Sequence, residues 1–537
     1  MNKIAIENIK TEGFSSQSVT TSDFNTLVSQ AYRAVQYAEF SVAERFFRQA
    51  LKKKPNSAEV LAGLGQSLCH QQRKQEGLGY LRKAGEKLFK NISKKNAPIK
   101  GLHNLANQLS NWGDIQSSLR YLQTLSFIAP SLGVYQSLAL DLSRINKTDE
   151  ALKAVEKALK LSKTNANVRI LFSLLEVKKG LFDSALSRLK QLASEKHPAD
   201  ILSRVYLEQG VCLDKMHNYQ EAFNAFEKSH LLQCETDAAK QMDRHKAFSR
   251  IDVIKQGFNR DWFIERKNGF KKDELPTPIF LLGFLRSGTT LTEQVLASHP
   301  DVYTSDESDI LAETINRLDK IVEPGESSLE KLKRASKADI YELRCFFWQR
   351  VKEEHGEQSL KAKYVEKNAL NSISLGFINI LFPEAKIIFC LRDPRDVCLS
   401  CYMQSFTLSE QTAPLLTWEG TALYYAKVMD LWSTIKEQLT IEFFELHYEG
   451  AVSDFETTFR QLFSFISVEW NPDVELFYQK TQHKYIATPS FSDVTKPIYQ
   501  TSKERWRNYS KNFDTVLVHL ELFIEDRSTT LGISSRS

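Results

Sequence analysis

Along the first half of the chain, small and large apolar residues alternate at a helical period that itself recurs on a longer one. Ala43, Phe47 and Ala50 put a small, a large and a small residue on one helical face, and Pro55 closes the stretch. Gly77, Leu81 and Ala84 repeat the set 34 residues on, with Gly65 supplying a small residue to the helix before them. Ala151, Val155 and Ala158 return to the pattern, Ala185, Leu189 and Leu192 follow after 34 residues, and Ala222, Phe226 and Ser229 after 37. Ser117, Tyr121 and Thr124 mark a degraded copy in between. Small residues let the two helices of a hairpin approach, the large one fills the space, and each hairpin covers its neighbour. The pattern predicts about five or six helical hairpins over residues 23–235, with an N-terminal arm at 1–22.

This spacing resembles that of tetratricopeptide (TPR) repeats, which implies an all-α solenoid. Residues 236–275 read as a helical bridge that ends in a charged linker at 265–274. The pattern then changes. Apolar runs at 279–282, 385–391 and 441–446, separated by helical stretches, predict a central parallel sheet with right-handed crossovers, an α/β domain over 276–537. Ligands of such sheets bind beyond the carboxyl ends of the strands.

A chain of 537 residues is too long for one core, so more than one domain is expected. Its 71 basic and 66 acidic residues leave a net charge of only +5, which argues against a dedicated nucleic-acid surface. No uninterrupted apolar run reaches bilayer-spanning length, and the first residues lack a signal-peptide core. Seven cysteines scattered over the chain make no disulfide framework, so the cytoplasm is the expected location. Cys398 and Cys401 form a C-x-x-C without a second pair or suitably spaced histidines, and no metal site is expected.

The chemistry centres on residues 278–290, where an apolar strand runs into a turn with Gly283 and Gly288 at phosphate-loop spacing and a helix follows from Thr289. An NTPase has lysine after the second glycine. Here Thr289 stands in that place and the positive charge lies within the loop, on Arg286. Such a turn holds a phosphate but is poorly suited to Mg-ATP chemistry, which points to transfer of the less charged sulfuryl group.

The run from Gly283 to Leu291, followed by Ala297-Ser298-His299-Pro300, resembles the sulfotransferases that use PAPS (3′-phosphoadenylyl sulfate). Among them it is most similar to the tyrosylprotein sulfotransferases and their bacterial, often TPR-linked, relatives. The resemblance covers roughly residues 276–510 and implies that Arg286, Ser287, Gly288, Thr289 and Thr290 hold the 5′-phosphosulfate. A second segment, 389–400, resembles the family's 3′-phosphate site, with Arg392 at a strand end and Ser400 on the next helix. By the same resemblance Glu307 is the catalytic base, Lys367 and Arg286 support the transferred group, and Tyr448 lines the donor site. Ser490 and Arg505 belong to a closing segment, with Ser490 also donating to the transferring group. No metal is required. His299 reads as a structural residue, because Pro300 stops its helix.

The chain departs from the family at Gln404, where members carry a second arginine, at Arg505, which replaces a lysine, and at Asp306, which replaces a glutamate. The acceptor is therefore left as a hydroxyl of a protein tyrosine, a carbohydrate or a small molecule. Its pocket is expected from helices between 310 and 360 and loops near 405–430. The TPR groove is expected to bind an acceptor protein or another partner, or to join two copies of the chain. Removing 1–235 is accordingly expected to spare donor binding. The rival readings are a P-loop kinase or NTPase, and a TPR scaffold whose nucleotide-binding domain is catalytically inactive.

Overall fold

The small residues of the repeating pattern sit where helices touch. In the computed structural model, Ala43, Phe47, Ala50, Ala151, Val155, Ala158, Ala185, Leu189, Leu192, Ala222 and Phe226 are all fully buried. A Cβ on Gly63 would lie 2.4 Å from the Phe47 ring, and one on Gly210 would lie 2.5 Å from Phe226. The large residue of each hairpin thus fills the space that glycine leaves on its partner. The structure describes residues 23–481 and 502–530, apart from 72, 93, 95–96 and 323–326. It divides the chain into two compact units, 1–125 and 126–537.

The first unit is built of helices Phe24–Gln36, Phe40–Lys53, Ala58–His70, Lys74–Phe89 and Ile99–Asn111, followed by the start of Ile115–Ile128. Within it Tyr121, the large residue of the degraded copy, is buried against Gly85. The second unit opens with the hairpins Leu132–Arg144 with Thr148–Leu161, Ala166–Lys178 with Phe182–Ser194, and Ala199–Lys215 with Tyr219–Cys234. The bridge follows as helices Lys246–Gly257 and Arg260–Gly269, so the first half of the predicted charged linker is helical. Arg266 explains this, because its guanidinium binds the carbonyls of Lys333 and Ala335.

Beyond the bridge lie five strands: β1 (Ile279–Gly283), β2 (Val302–Asp306), β3 (Lys363–Lys367), β4 (Lys386–Leu391) and β5 (Glu442–His447). All pair in parallel in the order β2-β3-β1-β4-β5, so their carboxyl ends share one edge of the sheet. Three of these strands are the predicted apolar runs. β1 is buried along its whole length, Phe280 and Leu282 facing one core and Ile279 and Leu281 the other.

One apolar core runs from Ala185 and Phe226 of the last two hairpins through Phe258 of the bridge to Phe280, Phe389 and Leu520. The last two hairpins therefore share their core with the sheet, across residue 235. His230 of the last hairpin stacks on Tyr402 at 4.2 Å and hydrogen-bonds its carbonyl through Nε2 at 2.8 Å. Tyr402 ends the helix Pro394–Tyr402 that carries Ser400. Among the described residues, no helix is long and apolar enough to cross a membrane.

Candidate active site

β1 stops at Gly283 and the chain turns through 284–288 into the helix Thr289–Ala297. Arg286 and Gly288 both take left-handed backbone conformations, with φ of 66° and 100°. At Gly288 only glycine fits, because a Cβ would lie 2.7 Å from the ring of Tyr448, which roofs the loop. The first N–H groups of the following helix have no carbonyl one turn back within it, so they are available to an anion.

The two predicted phosphate segments meet here. Arg286 Nε donates to Ser400 Oγ at 2.9 Å. Arg392, at the end of β4, donates through Nη1 to the Arg286 carbonyl at 3.1 Å and through Nη2 to the Ser502 carbonyl at 2.5 Å. Its guanidinium lies 4.6 Å from the centre of the Tyr448 ring. Its Nε is buried without a hydrogen-bond partner among the described residues.

At the same sheet edge, β2 and β3 bring Glu307 and Lys367 together. Lys367 is 1% exposed, and its Nζ donates to Asp306 Oδ1 at 3.1 Å and to Glu307 Oε1 at 3.0 Å. Glu307 sits just past β2 with φ of 51°, held by its N–H on the Lys367 carbonyl at 2.9 Å. Burial alone would lower the ammonium's pKa, but Asp306, Glu307 and Glu293 outweigh it and raise it, so the lysine stays charged. Glu293 is buried beneath this pair and accepts from Thr304 Oγ1 at 2.6 Å and from the Gln294 amide. Burial, reinforced by Asp306, pushes its pKa up to about 7.

Glu366, also on β3, is fully buried and accepts from the Leu311 N–H and the Asn371 amide, each at 3.3 Å. Burial raises its pKa from the ordinary 4.5 to about 8. Between those values the folded protein keeps a proton that the unfolded chain has lost, so stability falls as pH rises across the window. Glu366→Gln is expected to flatten that fall, read as a weaker dependence of Tm on pH between 4.5 and about 8.

Arg505 lies elsewhere than expected. Its Nη2 pairs with Asp214 Oδ2 at 2.5 Å, on the last helical hairpin, rather than reaching the loop. Ser490 lies outside the described residues. His299 is structural as read, its Nε2 hydrogen-bonded to the Glu469 carbonyl at 3.0 Å and its Nδ1 accepting from the Asp301 N–H at 3.1 Å. Cys398 and Cys401 are buried thiols, and no group of three candidate metal-binding side chains occurs among the described residues.

The sequence reading missed Asp396, which accepts from the N–H groups of Glu504 at 2.8 Å and Trp506 at 2.9 Å and so fastens the 502–513 segment to the Arg392 turn. It also missed Arg395, clamped on Asp393 and lying 3.6 Å from the centre of the Trp506 ring. Their signal was present in the run Arg392-Asp393-Pro394-Arg395-Asp396, but only the partners' positions reveal which member binds what.

A glycine turn that opens a helix, a buried arginine, and a lysine–glutamate pair at one sheet edge invite comparison with known folds. The model of the sulfotransferase family matches residues 278–472. This region is a sulfotransferase domain. An uncharacterized protein of Aquifex aeolicus is 30% identical over 315 residues, 52% of this chain and 40% of that one. A protein-tyrosine sulfotransferase of Drosophila melanogaster is 25% identical over 250 residues, 43% of this chain and 47% of that one. The chain thus spans less than half the length of these two relatives. A solved tetratricopeptide repeat protein from Parabacteroides merdae covers 45% of this chain with 96% of its own, at 19% identity and a TM-score of 0.33. The matched region follows the N-terminal helical hairpins.

Proposed function

We propose that the sulfotransferase domain moves the sulfuryl group of PAPS onto a hydroxyl acceptor. The bond from Arg286 to Ser400 carries the reading, because it joins the phosphate loop to the second phosphate segment in one site. The residues fit a nucleotide with two separate phosphate positions. Gly288 leaves a cradle that a Cβ would fill, and Arg392 Nε is a buried donor without an acceptor among the described residues.

In this reading Thr289, Thr290 and the loop's backbone hold the 5′-phosphosulfate, with Ser287 and Gly288 shaping the turn. Arg392 and Ser400 hold the 3′-phosphate and Tyr448 walls the site between them. The donor supplies a sulfuryl group whose bond to the phosphate oxygen breaks as the bond to the acceptor oxygen forms. Glu307, 49% exposed, accepts the hydroxyl proton, and the buried Lys367 ammonium supplies fixed positive charge beside it. Arg286 adds a second fixed charge. Ser490 is proposed as a further donor, and Arg505 as the residue that anchors the 502–513 segment on Asp214. The helical repeats are proposed to bind a partner protein.

Calorimetry with PAP, the desulfated product, tests the donor site. Wild type is expected to bind PAP without Mg²⁺, and Arg392→Ala to bind it roughly 10- to 100-fold more weakly, the loss expected for a charge-assisted contact. A folded wild type that ignores PAP would remove the proposal.

A further inference from the structure

The helix that opens the phosphate site, Thr289–Ala297, carries a buried acid one turn behind its start. Glu293 follows Thr289 by four residues, about 6 Å along the axis, and is 3% exposed. Both of its oxygens are taken up by uncharged groups of the protein. Thr304 Oγ1 donates to one at 2.6 Å, and the Gln294 amide donates to the other. Strand pairing sets this acid beneath the reaction centre. Thr304 lies opposite Val365 and Asp306 opposite Lys367, and residues two apart along a strand share a face. Thr304, Asp306, Val365 and Lys367 therefore line the side of the sheet that Val295 and Leu296 of this helix cover.

On that side one cation stands against three acids. Lys367 bonds Asp306 and Glu307, and Glu293 adds a third carboxylate that feels both Asp306 and Lys367. The other elements packed there contribute apolar residues: Ile279 and Leu281 from β1, Val474 and Phe477 from the segment 472–481, whose Asp473 and Glu475 are exposed. With every acid charged, the cluster holds two negative charges in excess, under a site shaped for an anion. A proton on Glu293 leaves one. Asp306 and Glu307 are 31% and 49% exposed and partly screened by water, so the buried Glu293 is the member whose charge is felt most. Burial, reinforced by Asp306, brings its titration to about 7, where either state is within reach.

We propose that Glu293 couples a proton to donor binding, being neutral whenever the donor's 5′-phosphate occupies the start of its helix. The proposal rests on the sulfotransferase reading. The proton comes from solvent, and no bond of the donor changes. Charged, Glu293 opposes both the phosphate one turn above it and the sulfuryl group beside Lys367. Neutral, it leaves the helix N–H groups and the ammonium their full attraction for those anions. Thr304 suits both states, because a hydroxyl donates to a carboxylate and accepts from a carboxylic acid. Donor affinity should then fall as pH rises through the titration of Glu293.

The test is calorimetry of PAP binding to the full-length protein at pH 6, 7.5 and 8, in buffers of different ionisation enthalpy, for wild type and Glu293→Gln. Glutamine keeps the size and a partner for Thr304 but is always neutral, and the comparison cancels the titration of PAP's own phosphates. Relative to this variant, wild type is expected to lose about fivefold in affinity between pH 6 and pH 8, as a tenfold fall in the acidity of Glu293 on binding implies. At pH 7.5 it should take up about half a proton more per PAP. Glu366→Gln, on the opposite face of β3, should keep the wild-type pH dependence, which separates this coupling from the general effect of removing a buried acid. If Glu293→Gln does not fold, Thr304→Val takes its place. It removes a donor that favours the carboxylate, so it should move the fall in affinity to higher pH. The same pH dependence in wild type and Glu293→Gln, no excess proton uptake, or a fall that Thr304→Val leaves in place would overturn the proposal while PAP binding stands. A wild type that binds PAP at no pH would remove the sulfotransferase reading and the coupling together.

Discussion

Lys367→Met is expected to lower sulfuryl transfer about 10²- to 10³-fold, the loss typical of removing one donor that stabilises developing charge. It is also expected to destabilise the protein, by about 3 kcal/mol, because methionine keeps the volume but leaves carboxylates without their shared cation. Three carboxylates surround the ammonium. Asp306 and Glu307 bond it directly, and Glu293 lies beneath them. The stability loss falls at the low end of the range for broken buried pairs, for two reasons. Asp306 and Glu307 are 31% and 49% exposed, so water takes up part of their charge. Glu293 already titrates near 7 and can accept a proton. Glu307→Gln separates the two roles of the cluster. It removes the base and should cost a similar factor in turnover, while Lys367 keeps Asp306 and stability changes little. Urea unfolding and initial rates of sulfate transfer, measured on both variants, read out the two effects. A Lys367→Met protein with wild-type turnover would strip the lysine of its chemical role.

How the sequence announces this site differs from strand to strand. β1 and β4 read directly as strands because both faces are buried and the residues are continuously apolar. β2 and β3 do not. The runs Val302-Tyr303-Thr304-Ser305-Asp306 and Lys363-Tyr364-Val365-Glu366-Lys367 carry polar residues that a local pattern assigns to the surface. The fold buries Glu366 and Lys367 in an inner strand by giving each specific partners, and partners 55 and 60 residues away leave no local trace. Glu307 and Lys367 were found through family resemblance for that reason, whereas Glu293, which has no place in the motif, was missed. The repeat half is the reverse case. There each buried position is set by contact with a neighbouring hairpin at a fixed sequence distance, so the spacing alone identified Ala43, Phe47 and Ala50 as core.

Asp214→Ala is expected to weaken PAP binding about tenfold and to lower stability by about 2–3 kcal/mol, although Asp214 lies in the repeat region far from the phosphate loop in sequence. The carboxylate is 6% exposed at the end of the helix Ala199–Lys215. It accepts from Arg505 Nη2 and from Tyr509 Oη, the latter at 2.7 Å, and the Tyr509 ring packs on Tyr219 at 5.3 Å. The same segment is held from its other side by Asp396 and by the bond from Arg392 to the Ser502 carbonyl. Residues 502–513 are therefore clamped between the last helical hairpin and the turn that carries the proposed 3′-phosphate arginine. Alanine at 214 leaves the buried Tyr509 hydroxyl without its acceptor and frees Arg505, which is 32% exposed and rehydrates. Most of the cost thus comes from the tyrosine. The loosened segment no longer positions Arg392 through Ser502, so the loss should appear in donor affinity, with kcat at saturating PAPS nearly unchanged. Asp214→Asn keeps an oxygen for Tyr509 and should recover most of the stability and part of the affinity. A stability loss with unchanged PAP affinity would reduce Asp214 to a packing residue. Truncation at residue 236 removes Asp214, Phe223 and His230 together and exposes the core they cover, so it should abolish PAP binding rather than spare it.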